Sequence, residues 1–315
     1  MPISGIEEAL EGPERRGRSS SSSADHLGRT PRVRAYACEL FLSKVTTEDG
    51  YILSLKRIPH GLSDADNSTE DRSPVLLFHG LMVDGFCWVL STPKQSLGFI
   101  LADAGFDVWI ANCRGTKSSR KHTTLKPEDP AFWDFTWDEL AAYDLPAVLQ
   151  FVYNQTGGKK VHYVGHSLTI HMLGFHEFNP VGRVAQEVLG QVCTDPEVDC
   201  YDLFGAVAVV RKAGVRRYDY GNEKENMKHY NQPEPPLYNL SSIPTHVPLF
   251  LTHGGQDFLG DVPDTRHLLR TLVREHDSDD IEVLYMPDYA HGDFVMGYNA
   301  PQLIYKPIVE FFKRH

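Results

Sequence analysis

The first patterned stretch of the chain alternates apolar and polar positions in the manner of a hairpin. Between Lys44 and Pro59, Val45 with its two threonines and the run Tyr51–Leu55 flank Glu48-Asp49-Gly50, a turn signal that joins antiparallel strands. Leu62–Ser73, rich in Asp and Ser, reads as a solvated loop, and the wholly apolar Val75–Phe78 behind it as a buried strand running into His79-Gly80. A unit of strand, loop and helix then recurs: helix over Leu97–Ala104, strand over Phe106–Ala111, helix over Trp137–Tyr153, strand over Val161–Val164. That recurrence predicts an α/β protein with a mostly parallel sheet covered on both faces. Two more apolar strands, Pro248–Thr252 and Ile281–Tyr285, precede an amphipathic helix over Gln302–Lys313 that carries Ile304, Ile308, Phe311 and Phe312. The core pattern is interrupted over residues 171–243, and no repeat is visible, which argues against a solenoid or propeller.

Composition narrows the function classes. With 41% hydrophobic and 23% charged residues over 315 positions, the chain has the balance of a globular protein with a sizeable core. A formal net charge of -11 leaves no basic surface to neutralise phosphates, so nucleic acid is not an expected partner. No run approaches the ~20 apolar residues of a membrane span, so contact with lipid is expected to be peripheral. Residues 1–33 lack the apolar stretch of a secretory signal, and their Arg15, Arg16 and Arg18 followed by Ser19–Ser23 read as a disordered leader. Five cysteines are too few for a disulfide scaffold, although Cys193 and Cys200 are close enough to close a short loop. The sequons at Asn67, Asn154 and Asn239 fit an oxidising, secreted setting; the leader does not, and the compartment stays open. No cluster of His, Cys and carboxylates has metal spacing, so neither metal nor cofactor is expected.

The candidate chemistry lies at strand ends. Gly165-His166-Ser167 follows directly on a strand, where a nucleophile elbow holds a serine on a sharp turn above the sheet edge. Such a turn demands small residues two positions before and after the serine; Gly165 meets that demand and Thr169 does not. A serine hydroxyl is a poor nucleophile until a base takes its proton, and an acid must fix that base's tautomer. The chain order of this fold, serine then acid then histidine, selects Asp257 after the strand Pro248–Thr252 and His291 after Ile281–Tyr285, with Asp261, Asp264 and Asp293 as competing carboxylates. Negative charge on the carbonyl oxygen in the transition state calls for two N–H donors, expected from the backbone of Leu81 and Leu168. The aromatic group Phe132, Trp133, Phe135 and Trp137 reads as core packing, and Arg114 with Lys117, Arg120 and Lys121 as a solvated basic loop.

Longer stretches carry a family resemblance. Thr46-Thr-Glu-Asp-Gly-Tyr-Ile-Leu, His79-Gly-Leu, the run from Ser96 to Asn112, Trp137-Asp-Glu-Leu, Tyr143-Asp-Leu-Pro-Ala, His162-Tyr-Val-Gly-His-Ser, Glu177-Phe-Asn-Pro, Tyr218-Asp-Tyr-Gly and Asp293-Phe-Val-Met-Gly resemble the acid lipases, which include gastric and lysosomal enzymes and their plant relatives. The resemblance implies an α/β-hydrolase fold with its core in residues 34–170 and 244–315 and a shortened helical cap over 171–243. It further implies Ser167 as nucleophile, Asp257 as acid, His291 as base, the Leu81 and Leu168 amides as oxyanion hole, and a Cys193–Cys200 disulfide. The implied substrates are triacylglycerols and, in some members, steryl esters, met at a lipid–water interface without a cofactor. Two departures stand out: the family's Gly-His-Ser-x-Gly-Thr lacks its second glycine here, and after Ile170 the chain passes to His171 without the family's next helix and central strand. A sheet without that strand has a gap between the strands bearing Ser167 and Asp257, and the alternative reading is a hydrolase fold that binds a lipid-like ligand or a protein without turnover.

Overall fold

A computed structural model describes residues 41–61, 71–81, 83–167, 216–238, 243–257, 260, 262–275 and 280–315. The expected leader, most of the expected cap with Cys193 and Cys200, and Leu168 lie outside these residues.

The hairpin forms where the alternation placed it. Strands β1 (Phe41–Thr46) and β2 (Ile52–Ile58) pair antiparallel, with Thr46 opposite Ile52, around a turn in which Gly50 takes φ +100°. A turn this short can only reverse the chain, whereas the long connections through helices return it in the same sense. Accordingly β3 (Pro74–Phe78), β4 (Asp107–Asn112) and β5 (His162–Gly165) are mutually parallel, and the five-stranded order is β1-β2-β4-β3-β5. β2 joins β4 antiparallel, so the sheet is mixed, with the hairpin as its antiparallel edge. Near the C-terminus β6 (Leu249–Gly254) and β7 (Ile281–Met286) form a parallel pair, with helix Val262–Glu275 between them in sequence. Among the described residues β5 pairs only with β3 and β6 only with β7. The segment between Ser167 and Arg216, on which the expectation of a lost central strand falls, lies outside the described residues.

Side chains on the strands alternate between two apolar layers. Val75, Leu77, Val108 and Ile110 pack on one face with Leu97, Phe99 and Leu101 of helix α1 (Leu97–Asp103). Leu76, Phe78, Trp109 and Ala111 pack on the other with Trp137, Val148 and Val152, the last two on α2 (Leu145–Gln155). Each such side chain, removed from water, contributes on the order of 1.5–3 kcal/mol. The first layer also takes in Val164 of β5, Phe250, Leu284 and Met286 of the two-stranded unit, and Ile308, Phe311 and Phe312 of the C-terminal helix α3 (Lys306–Arg314). Among the described residues, apolar packing and not strand pairing therefore joins the two sheets.

Two expected helices are interrupted, for one reason. The pattern over Trp137–Tyr153 resolves into a helical turn at Trp137–Glu139, a π-helical stretch at Leu140–Asp144 and then α2. Likewise a π-helical stretch at Pro301–Tyr305 leads into α3. Pro146 and Pro307 occupy the second positions of α2 and α3. A proline there has no N–H, and its ring presses on the carbonyl four residues back. The wider turn relieves this, with Leu145 N–H donating to Leu140 O and Lys306 N–H to Pro301 O, five residues back.

The aromatic group is largely core, as expected: Phe132 is fully buried and Trp137 buried, while Trp133 is exposed. The solvated basic loop needs correcting at Arg114, whose side chain is only 1% exposed. Its guanidinium meets Asp49 of the hairpin turn at 2.6 Å and Asp144 before α2 at 2.7 Å, and lies 3.9 Å over the Tyr51 ring. Carboxylates from two separate segments supply the charge that makes this burial tolerable.

Candidate active site

The turn that follows β5 sets the geometry. Ser167 follows Gly165 and His166 with φ +59°, a left-handed conformation that a non-glycine residue adopts at a cost of roughly 1–2 kcal/mol. The turn is held against Gly80 at the end of β3: a β-carbon on Gly80 would lie 2.7 Å from Ser167 Cβ. Only glycine fits this approach.

Gly80 is itself fixed by His79. Cys113 N–H donates to His79 Nε2 at 3.2 Å, so this nitrogen is unprotonated and Nδ1 carries the hydrogen that goes to Gly80 O at 2.8 Å. Burial depresses the His79 pKa and keeps the ring neutral. With its carbonyl pinned, the Gly80–Leu81 peptide has a set orientation, its N–H directed opposite to its C=O. Leu81 itself is about half exposed (46%).

Asp257 and His291 come together from the ends of β6 and β7. His291 Nδ1 lies 3.1 and 3.0 Å from the two Asp257 oxygens, and Gly260 N–H donates to Asp257 Oδ1 at 2.9 Å. The two loops meet because Gly254 and Gly255 leave no side chain between them: β-carbons there would strike the Tyr289 and Pro287 carbonyls. Gly255 N–H instead donates to Met286 O at 2.8 Å and Gln256 N–H to Tyr289 O at 3.0 Å. The competing Asp293 is occupied locally, accepting from Ala290 N–H at 2.7 Å. His291 Nε2, on the far side of the ring from Asp257, is buried and makes no hydrogen bond among the described residues.

Ser167 joins this pair through its neighbour. His166 Nε2 lies 2.9 Å from the His291 carbonyl oxygen, and the two imidazoles are 4.7 Å apart between centroids. The structure thus brings together Asp257 and His291 directly and the Ser167 turn by way of His166; Leu168 lies outside the described residues. A cavity of about 600 Å³ opens beside Gly80, lined by Leu81, Val83, Phe86, Cys87, Leu90 and Leu140 among others. Its wall is neutral at Cys87, where burial and then the Asp84 charge push the thiol up to about 12. Sequence reasoning missed the parts played by His79 and His166, although both stood inside the quoted motifs, and the doubled glycine before Asp257 was the available sign of a close loop contact.

Known proteins match this chain in sequence and fold. A family model for the α/β-hydrolase fold matches residues 73–168, and one described as a partial α/β-hydrolase lipase region matches residues 34–92. An esterase from Pyrococcus furiosus superposes with a TM-score of 0.52 at 18% identity, covering 88% of this chain and 91% of that one, a likeness of fold alone. The fold is that of an α/β-hydrolase. Triacylglycerol lipase 2 of Arabidopsis thaliana is 36% identical over 363 residues, covering 90% of this chain and 86% of the relative. Human lysosomal acid lipase/cholesteryl ester hydrolase is 33% identical (86% and 87% covered), and bovine gastric triacylglycerol lipase 31% (85% and 86%). The chain belongs to the acid lipase family. Because the alignment to the Arabidopsis relative runs over 363 positions and this chain has 315 residues, that relative carries segments with no counterpart here.

Proposed function

We propose that this member of the lipase family hydrolyses fatty acyl esters, triacylglycerols among them, through an acyl-enzyme on Ser167. The observation that carries the reading is the Asp257–His291 hydrogen bond, which commits Nδ1 to donation and leaves the buried Nε2, without a hydrogen bond among the described residues, as the basic atom of the ring. In this reading Ser167 Oγ attacks the ester carbonyl while Nε2 takes its proton. The same nitrogen returns the proton to the departing alcohol, and water, deprotonated in turn, releases the fatty acid. Asp257 holds the tautomer and offsets the charge of the imidazolium. Leu81 N–H, from the peptide pinned by His79, and Leu168 N–H receive the negative charge of the tetrahedral intermediate. The neighbouring apolar cavity suits a fatty acyl chain, and the exposed Leu81, Val83 and Leu90 at its edge suit contact with a lipid surface. A cap over residues 171–243 closed by a Cys193–Cys200 bridge belongs to the same proposal. The relatives named for triacylglycerol and cholesteryl esters support the substrate class.

A fluorophosphonate probe tests the nucleophile. Wild type is expected to label and to hydrolyse p-nitrophenyl butyrate, with both signals lost in Ser167→Ala. Equal labelling of the two proteins would refute the assignment, and wild type without either signal would favour a hydrolase fold that binds without turnover.

A further inference from the structure

Among the described residues β5, which leads into Ser167, pairs only with β3, and β6, which leads to Asp257, only with β7, which leads to His291. A base and a nucleophile delivered from separate strand ends need a firm tie between their loops, because a displacement of about 1 Å in such a pair can cost on the order of a hundredfold in rate. His166 lies between them. It follows β5, and its Nε2 reaches across to the carbonyl oxygen of His291 at 2.9 Å.

We infer that His166 is the positioning residue that holds the loop bearing His291 in register with Ser167, through its side-chain hydrogen bond from the end of β5 to the backbone of that loop. The inference rests on the reading of Ser167 and His291 given above. A carbonyl oxygen can only accept, so His166 must carry its hydrogen on Nε2. Burial first, and then the neighbouring His291, press the His166 pKa down to about 4. Asp257, the nearby carboxylate, acts in the opposite direction but less strongly. His166 accordingly remains a neutral donor with its ring 4.7 Å from the base, and it does not compete for the proton that His291 takes from the serine. The bond goes to the backbone of His291 and not to its ring, so it fixes the position of the base without engaging either ring nitrogen.

Two variants separate positioning from bulk packing. His166→Leu fills the space but cannot donate; His166→Gln offers an amide N–H at nearly the same reach. With p-nitrophenyl butyrate, His166→Leu is expected to lower kcat by about 10- to 100-fold with KM changed less than about twofold, and His166→Gln to recover most of the loss. Equal impairment of both variants, or full kcat in His166→Leu, would overturn the inference. A second readout needs no turnover. In a long-range 15N–1H spectrum of histidine-labelled protein, His166 is expected as the neutral Nε2–H tautomer down to about pH 5, and the His291 imidazole signals are expected to shift in His166→Leu and not in His166→Gln. An Nδ1–H tautomer at His166, or His291 signals unmoved in His166→Leu, overturns the inference even if the wild type fails to label and the ester-hydrolase reading falls by itself.

Discussion

Gly80 lies so close to Ser167 that a methyl group between them would sit 2.7 Å from the serine Cβ and 3.3 Å from its Oγ. Neither atom can retreat freely, since Ser167 is held in a left-handed turn at φ +59°. Gly80→Ala is therefore expected to displace the hydroxyl and reduce kcat by about a hundredfold or more, with secondary structure retained. Steady-state kinetics with circular dichroism checks this; wild-type turnover would mean that the contact is not made in solution.

Asp257 accepts from His291 Nδ1 with both oxygens within 3.1 Å. Asp257→Asn keeps the shape and presents an amide that can donate, which favours the wrong tautomer of His291. A loss of about 10³–10⁴ in kcat is expected, with small change in thermal stability. A drop below tenfold would exclude Asp257 as the acid.

The guanidinium of Arg114 is buried between Asp49 and Asp144. Removing Asp144, whose side chain has no solvent exposure, leaves a charged group with half its compensation. Asp144→Ala is expected to cost about 3–5 kcal/mol in urea unfolding, whereas Lys117→Ala on the exposed part of the same loop changes stability by less than about 0.5 kcal/mol.

Acid is expected to destabilise the fold through two half-buried histidines. His162 and His166 are each pushed down to about 4 from an ordinary value of 6.5, chiefly by burial. Between these values the unfolded chain binds protons that the folded chain refuses. Stability is thus complete above about pH 6.5, falls as the pH drops toward 4, and levels off below it. Tm measured across this window in wild type and in His162→Phe reads the contribution of one group: the variant's slope should be shallower. Parallel curves would show that His162 does not titrate with unfolding.

Much of the frame was legible because it depends on local period. Val75–Phe78, with all four side chains fully buried, and the hairpin turn at Gly50 follow from alternation and turn chemistry alone. Asp257 and His291 were also legible, since chain order and strand ends determine where such residues can stand. What escaped was set by contacts between distant segments. Arg114 looks like any loop cation until Asp49 and Asp144 are brought beside it; the local exception is Pro146 and Pro307, which break helices whose apolar period runs on undisturbed. His166 drew no role from the sequence because the carbonyl that it grips lies 125 residues away.

The division of the described strands into a set of five and a pair has a practical corollary. Each set can keep its own ladder while the seam between them, made of apolar side chains and the imidazole bridge, works loose under milder stress. Catalytic output is then expected to fade several degrees below the temperature at which circular dichroism detects melting, so that heat-inactivated molecules would still look folded. Ligands that span the seam would raise the inactivation temperature more than the melting temperature.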